Sequence, residues 1–143
     1  MPLNGFTVGR DVSTNIQTPS GALTLGGLTK FTSKPETTDK KVKLLNGRTK
    51  HLIFPDGWVG SFECERQDST IDDFIAAQEA NYYAGQNLLP STITETINEV
   101  SGAVTQYQYV GVIFKLEDAG DFAGDETVKQ KLTFMAETRI KLA

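Results

Sequence analysis

The chain has 143 residues, 38% of them hydrophobic and 22% charged, and carries a net charge of −4. That length corresponds to one domain with room for one core, and the mixed composition excludes a disordered or collagen-like chain. One cysteine and one histidine exclude a disulfide framework, a cysteine-rich zinc site and most histidine chemistry. The acidic balance argues against general nucleic-acid binding. No apolar run of about 18 residues is present to insert into a membrane, and the first ten residues lack the pattern of a secretory leader.

In chain order, residues 1–20 are rich in Gly, Ser, Thr and Asn and read as a flexible N-terminal arm or a weak edge strand through Val12 and Ile16. Residues 22–34 suit a strand bent at Gly26-Gly27. Lys41 to Leu45 and His51 to Phe54 read as paired strands around Asn46-Gly47, a two-residue hairpin signal. Pro55-Asp56-Gly57 reads as a turn. The region from about 34 to 55 is expected to project. Trp58 to Arg66 alternates with period two, and places Trp58, Gly60, Phe62 and Cys64 on the apolar face; Cys64 is a small buried hydrophobe there, not a nucleophile.

The period then changes. Ser69 and Asp72 read as a capping box, with Asp68 and Asp73 favoured by the helix dipole. Ile71, Phe74, Ile75, Gln78 and Tyr82 follow helical spacing, Gly85 suits the position after the last turn, and a helix over about 70–84 is predicted. Ser91–Val100 and Ala103–Leu116 return to strand. The second places Val104, Val110, Val112, Phe114 and Leu116 on one face. The last strand, about 127–142, places Val128, Leu132, Phe134, Ala136, Ile140 and Leu142 on one face. The expected core is Trp58, Phe62, Ile71, Phe74, Ile75, Tyr82, Val112, Phe114, Leu132 and Phe134. Many strands around one helix favour a mainly β fold: a closed barrel or sandwich of two packed antiparallel sheets with one flanking helix, in a single domain over 1–143.

No nucleophile elbow, phosphate-binding loop or dinucleotide fingerprint occurs, and Asp118, Asp121 and Asp125 do not follow calcium-loop spacing. No catalytic residue, metal ligand or cofactor site is expected. Charge is segregated instead. Lys30, Lys34, Lys40, Lys41, Lys43, Arg48 and Lys50 lie together in sequence, opposed only by Glu36 and Asp39, while Asp68, Asp72, Asp73, Asp118, Asp121 and Asp125 belong to later acidic clusters. Such segregation suits two complementary surfaces that meet between copies. The segment from Lys34 through Asn46-Gly47 to Lys50 is one candidate surface, and the two acidic clusters are the other.

The order of parts is a basic strand and hairpin, the strand GWVGSFECER, the helix STIDDFIAAQEANYYAG, and long strands ending in KLTFMAETRIKL. This layout resembles a tail tube protein of a tailed bacteriophage, over nearly the whole chain. The resemblance implies a non-enzymatic virion protein: a homohexamer whose rings stack in a helical assembly, forming a hollow conduit for viral DNA during genome ejection. It implies a sheath outside, baseplate and terminator proteins at the ends, and assembly in the bacterial host cytoplasm. The absence of an appended domain favours a contractile tail, and an acidic lumen would let DNA slide. The fold is shared with the type VI secretion tube protein, the near alternative; a small β-sandwich ligand-binding module is the alternative from another class.

Overall fold

Period-two sequence dominates the chain, and in the computed structural model it becomes eight strands around one helix; residues 5, 6, 9, 12–25 and 28–142 are described. In order these are β1 (Val12–Thr18), β2 (Gly21–Leu23), β3 (Leu28–Lys43), β4 (Thr49–Glu65), α1 (Thr70–Tyr83), β5 (Ser91–Asn98), β6 (Val104–Asp118), β7 (Lys129–Ala136) and β8 (Thr138–Lys141). All pairings are antiparallel. The order across the sheet is β2-β1-β5-β6-β7-β4-β3, with β8 also on β6.

The expected closed barrel of two sheets is not what the pairing gives. One sheet curls on itself, and its two ends are not hydrogen-bonded to each other among the described residues. A cleft of about 760 Å³ separates β1 from β3, lined by Thr14, Ile16, Leu25, Leu28, Phe31 and Glu95. The flexible arm expected to about residue 20 gives way, from Val12 to Thr18, to a strand paired on both sides. Most of its first eleven residues, and the bend at Gly26-Gly27, lie outside the described residues.

The curl has a local cause. Gly111 sits at φ 69°, a left-handed conformation that glycine adopts freely. The register of β5 on β6 slips there, from Ile93↔Tyr109 to Ser91↔Val112. One extra residue flips the inward face of β6 from odd to even positions, as a β-bulge does. Tyr109 therefore points inward before the bulge, and Val112 and Phe114 after it. The sequence phase that grouped Val104 and Val110 with Val112 fails for this reason. Opposite Gly111, the last strand breaks at Glu137 into β7 and β8. Leu132, Phe134 and Ala136 are buried before the break, while Ile140 and Leu142 are about half exposed after it.

The core lies inside the curl. Phe62, Ile93, Tyr109, Val112, Leu132 and Phe134 are fully buried, with Ile16, Cys64, Ile71 and Phe114 close behind. Phe31 of β3 stacks on Phe134 with centroids 5.9 Å apart and meets Tyr109 edge-on at 6.3 Å. Side chains thus hold the β3 end of the sheet over its middle strands, β6 and β7, to which no backbone bonds join it. Burial raises the Cys64 thiol.

Helix α1 lies along β6. Its Phe74 ring packs edge-on against Phe114 at 5.6 Å, and Gln78 Nε2 donates to the Phe114 carbonyl at 3.0 Å. The expected capping box does not form: Ser69 makes no side-chain cap bond. Its hydroxyl donates to Asp73 at 3.0 Å, and the Asp68 carboxylate accepts from the Thr70 amide instead. Asp72 is drawn away to Arg66, 2.9 Å distant, and to Gln130. The helix ends in a Schellman arrangement, in which the Gly85 amide donates to Tyr82 O and the Gln86 amide to Asn81 O. Tyr82, expected in the core, is 63% exposed. Its place on the stripe is helical, but at the last turn a groove opens between the helix and β6 and β7, and the ring stays in solvent.

Tyr109 carries a testable consequence. Its hydroxyl donates to Glu95 Oε2 at 3.1 Å and lies 2.9 Å from Ser33 Oγ. Burial first, with the Glu95 charge adding to it, pushes the phenol up to about 12 from 10.0. A raised tyrosine contributes stability below its unfolded value, about 10, and loses it as pH rises through the folded one. Unfolding free energy should therefore fall by about 2 kcal/mol between roughly pH 10 and 12. Alkaline urea titrations of wild type and Tyr109→Phe check this: the fall should be smaller in the variant.

Candidate functional site

The described residues hold no group of three metal-ligating side chains, and no helix among them is long and apolar enough to cross a membrane. What stands out is surface. Strands β3 and β4 run far beyond the sheet as a two-stranded ribbon. Trp58 is the last residue of β4 that pairs with β7, opposite Ala136. From Lys34 to Asp56 every residue except Val42 is exposed. Pro55, Asp56 and Gly57 form no turn. They lie within the continuous strand β4, where a register shift between the Pro35 and Thr37 pairs marks a bulge. At the tip Leu44 and Arg48 close a loop of Leu45, Asn46 and Gly47, with the Arg48 amide donating to Asn46 Oδ1 at 3.0 Å. The expected two-residue turn is thus a three-residue one, with Gly47 at φ 86° supplying the left-handed position.

The ribbon carries Lys34, Lys40, Lys41, Lys43, Arg48 and Lys50 against Glu36, Asp39 and Asp56. The described residues contain three ion pairs, Lys30–Glu63, Arg66–Asp72 and Lys131–Glu117, and none involves those six ribbon cations. The acidic candidates are partly committed elsewhere. Asp72 is held below the usual carboxylate range by Arg66 and then Gln130. Asp68 is held low by Thr70. Asp118 accepts from the Gly120 amide at 2.9 Å, while Asp121 and Asp125 are exposed. The structure of one copy brings the basic and acidic sets into no ion pair with each other.

Two surfaces escaped the sequence reading. The ribbon is apolar as well as basic: Leu44, Leu52 and Phe54 are 40–48% exposed. The register pairs Lys40 with Leu52, Val42 with Lys50 and Thr38 with Phe54, so Val42, Leu44, Leu52 and Phe54 share one face. Alternation was legible, but cross-strand partners were not. The second surface is the outward side of β1, β5 and β6. There Asn15 pairs with Thr94 and Ser13 with Thr96, and Thr94 and Thr96 in turn with Gln108 and Gln106. This is an uncharged polar ladder. Inward at the same end, the Arg139 guanidinium lies 3.4 Å from the Tyr107 ring centroid and 4.4 Å from that of Trp58. That cation–π pairing holds a charge inside the curl.

No protein-family model and no curated protein matches the sequence. Solved structures do. The tube-terminating cap of the anti-feeding prophage superimposes with a TM-score of 0.67 at 8% identity, covering 100% of this chain and 95% of that one. A chain of the PVC sheath–tube complex, an extracellular contractile injection system in its extended state, gives 0.62 at 10% identity over 91% of this chain and 88% of that one. The SPP1 tail tube gives 0.53 at 12% identity over 94% and 78%. Identities this low speak to architecture: a mainly β chain with one helix, free sheet ends and a projecting ribbon has the fold of a tail tube protein.

Proposed function

We propose that the chain is a structural, non-enzymatic building block of a tube: copies form hexameric rings, and rings stack into a hollow conduit of a phage tail or a related contractile injection particle. The observation that carries this reading is the ribbon, some twenty exposed residues long, whose six cations have no ion-pair partner among the described residues. A two-stranded ribbon is marginal alone in water, and a long free edge such as that of β3 invites a partner. Neighbouring copies supply both, and closure of the curled sheet into a barrel is completed within the ring. A sheath outside and terminator and baseplate proteins at the ends are the partners such a tube takes. The uncharged ladder on β1, β5 and β6 offers a polyanion nothing to bind, which suits a wall along which DNA slides.

The basic ribbon is proposed to cross to the next ring and meet the acidic sides of α1 and the 118–125 loop. Exposed ion pairs are worth about 0–1 kcal/mol each, so their effect shows in repeated contacts and not in monomer stability. Sedimentation and negative-stain microscopy test both parts. Wild type should give rings or tubes, fewer as salt rises. The Lys40→Glu, Lys41→Glu, Lys43→Glu variant should melt like wild type and fail to elongate. A wild type that stays monomeric at high concentration overturns the tube reading; normal tubes from the variant overturn its electrostatic part.

A further inference from the structure

We propose that the apolar face of the β3–β4 ribbon seats in an apolar groove beside α1 on a second copy of this chain. The groove has a volume of about 340 Å³. It lies between the last turns of α1 and the outer sides of β6 and β7, where Ile75, Tyr82, Tyr83, Leu88 and Met135 form its wall. Tyr83 is 83% exposed and Met135 49%. Two tyrosines at adjacent positions, edge-on at 5.4 Å, give a rigid apolar lip with polar tips, the kind of side chain that anchors interfaces.

The occupant follows from complementarity. The ribbon's Val42, Leu44, Leu52 and Phe54 form a ridge of matching chemistry, flanked on the same face by Lys40, Arg48 and Lys50. The groove has Glu79 on its wall, with Lys115 the one basic residue there. Helix α1 contributes Asp72, Asp73 and Glu79 and no Lys or Arg. An apolar ridge with basic flanks therefore meets an apolar groove on an acidic helix. The ribbon does not fill the groove of its own copy, since Leu52 and Phe54 remain exposed in the single chain. Two different patches that fit each other on one molecule make a heterologous contact, which propagates into rings or filaments and does not stop at a pair. The proposal rests on self-assembly, and it moves the centre of the ribbon's contact from charge to apolar burial, with the cations as a rim that sets orientation.

Disulfide trapping decides it. In a Cys64→Ala background, one batch carries Leu52→Cys and another Tyr83→Cys. The two are mixed, brought to assembling conditions and oxidised. Because a disulfide needs Cα atoms within about 7 Å, the 52–83 dimer should exceed by about tenfold the yield from an Ile53→Cys and Tyr83→Cys mixture, whose ribbon cysteine sits on the opposite face. A second variant leaves Cys64 in place: Leu52→Ser with Phe54→Ser should keep the wild-type melting temperature and raise the concentration needed for assembly by about tenfold or more. Particles that sediment as wild type while the 52–83 and 53–83 yields are equal, or an unchanged assembly threshold in the serine variant, overturn the docking and leave the tube reading standing. Wild-type chains that never sediment overturn both.

Discussion

Ending the chain after Asp125 will leave a polypeptide that does not fold cooperatively. Strand β7 lies between β4 and β6, pairing with β4 from Trp58 to Glu65 and with β6 from Ile113 to Asp118. Among the described residues it is the one strand that links the β3–β4 hairpin to the rest of the sheet in the strand order. Its removal takes out Leu132, Phe134 and Ala136, all buried. It also removes Gln130, which donates to Asp72 at 2.8 Å and to the Ala119 carbonyl at 3.1 Å, tying the start of α1 to the loop after β6. Each large buried side chain is worth about 2–5 kcal/mol, against a total stability of about 5–15 kcal/mol for an ordinary domain. Losing two of them takes about 4–10 kcal/mol of that margin, and the two ladders left unpaired take more. Near-ultraviolet circular dichroism and a thermal melt of residues 1–125 check this. A soluble fragment with a single sharp melt would show that β4 and β6 hold together without β7.

The same strand shows how far the sequence could be read. Alternation in 132–136 is unbroken, and its buried set was plain. Beyond Glu137 the even positions continue to look apolar, yet Ile140 and Leu142 face outward, because the corner at Gly111 turns the partner strand over. A bulge is a relation between two strands, and one strand's periodicity does not contain it. Helix α1 is the reverse case. Its start, stripe and terminal glycine are local signals, and it forms over Thr70–Tyr83. Only its cap was misread, since Asp72 is claimed by Arg66, on the preceding loop, and by Gln130, fifty-eight residues on. Tyr82 was misplaced for a similar reason: spacing gives the face of a helix but not how closely the sheet packs beneath each turn. The ribbon's charge was legible because charge is counted along the chain. Its apolar ridge was not, because Val42 and Leu52 become neighbours only through register.

Phe134→Ala should lower the unfolding free energy by about 3–5 kcal/mol, and the loss should couple to Gly60. Phe134 is fully buried. Its ring lies within 5.5–5.9 Å of the Tyr109, Phe62 and Phe31 centroids, so it is the hub through which β3, β4 and β6 touch. Gly60 is its cross-strand partner. A Cβ on Gly60 would stand 2.7 Å from the Phe134 ring and press on the Thr32 carbonyl. The aromatic ring thus occupies space that only glycine leaves free, a pairing that holds register as well as filling volume. Gly60→Ala alone should cost about 1–3 kcal/mol, as overpacking does. In the Phe134→Ala background the clash with the ring is gone, while the closer one with the Thr32 carbonyl remains. The double variant should therefore be more stable than the sum of the single losses implies, by about 1 kcal/mol or more, as contacting residues behave. Urea unfolding of the four proteins measures it. Losses that add to within about 0.5 kcal/mol would mean that the ring and the glycine act independently. The inner face of β4 would then owe its register to the neighbouring Phe62 and Leu132, which are cross-strand partners two pairs further along.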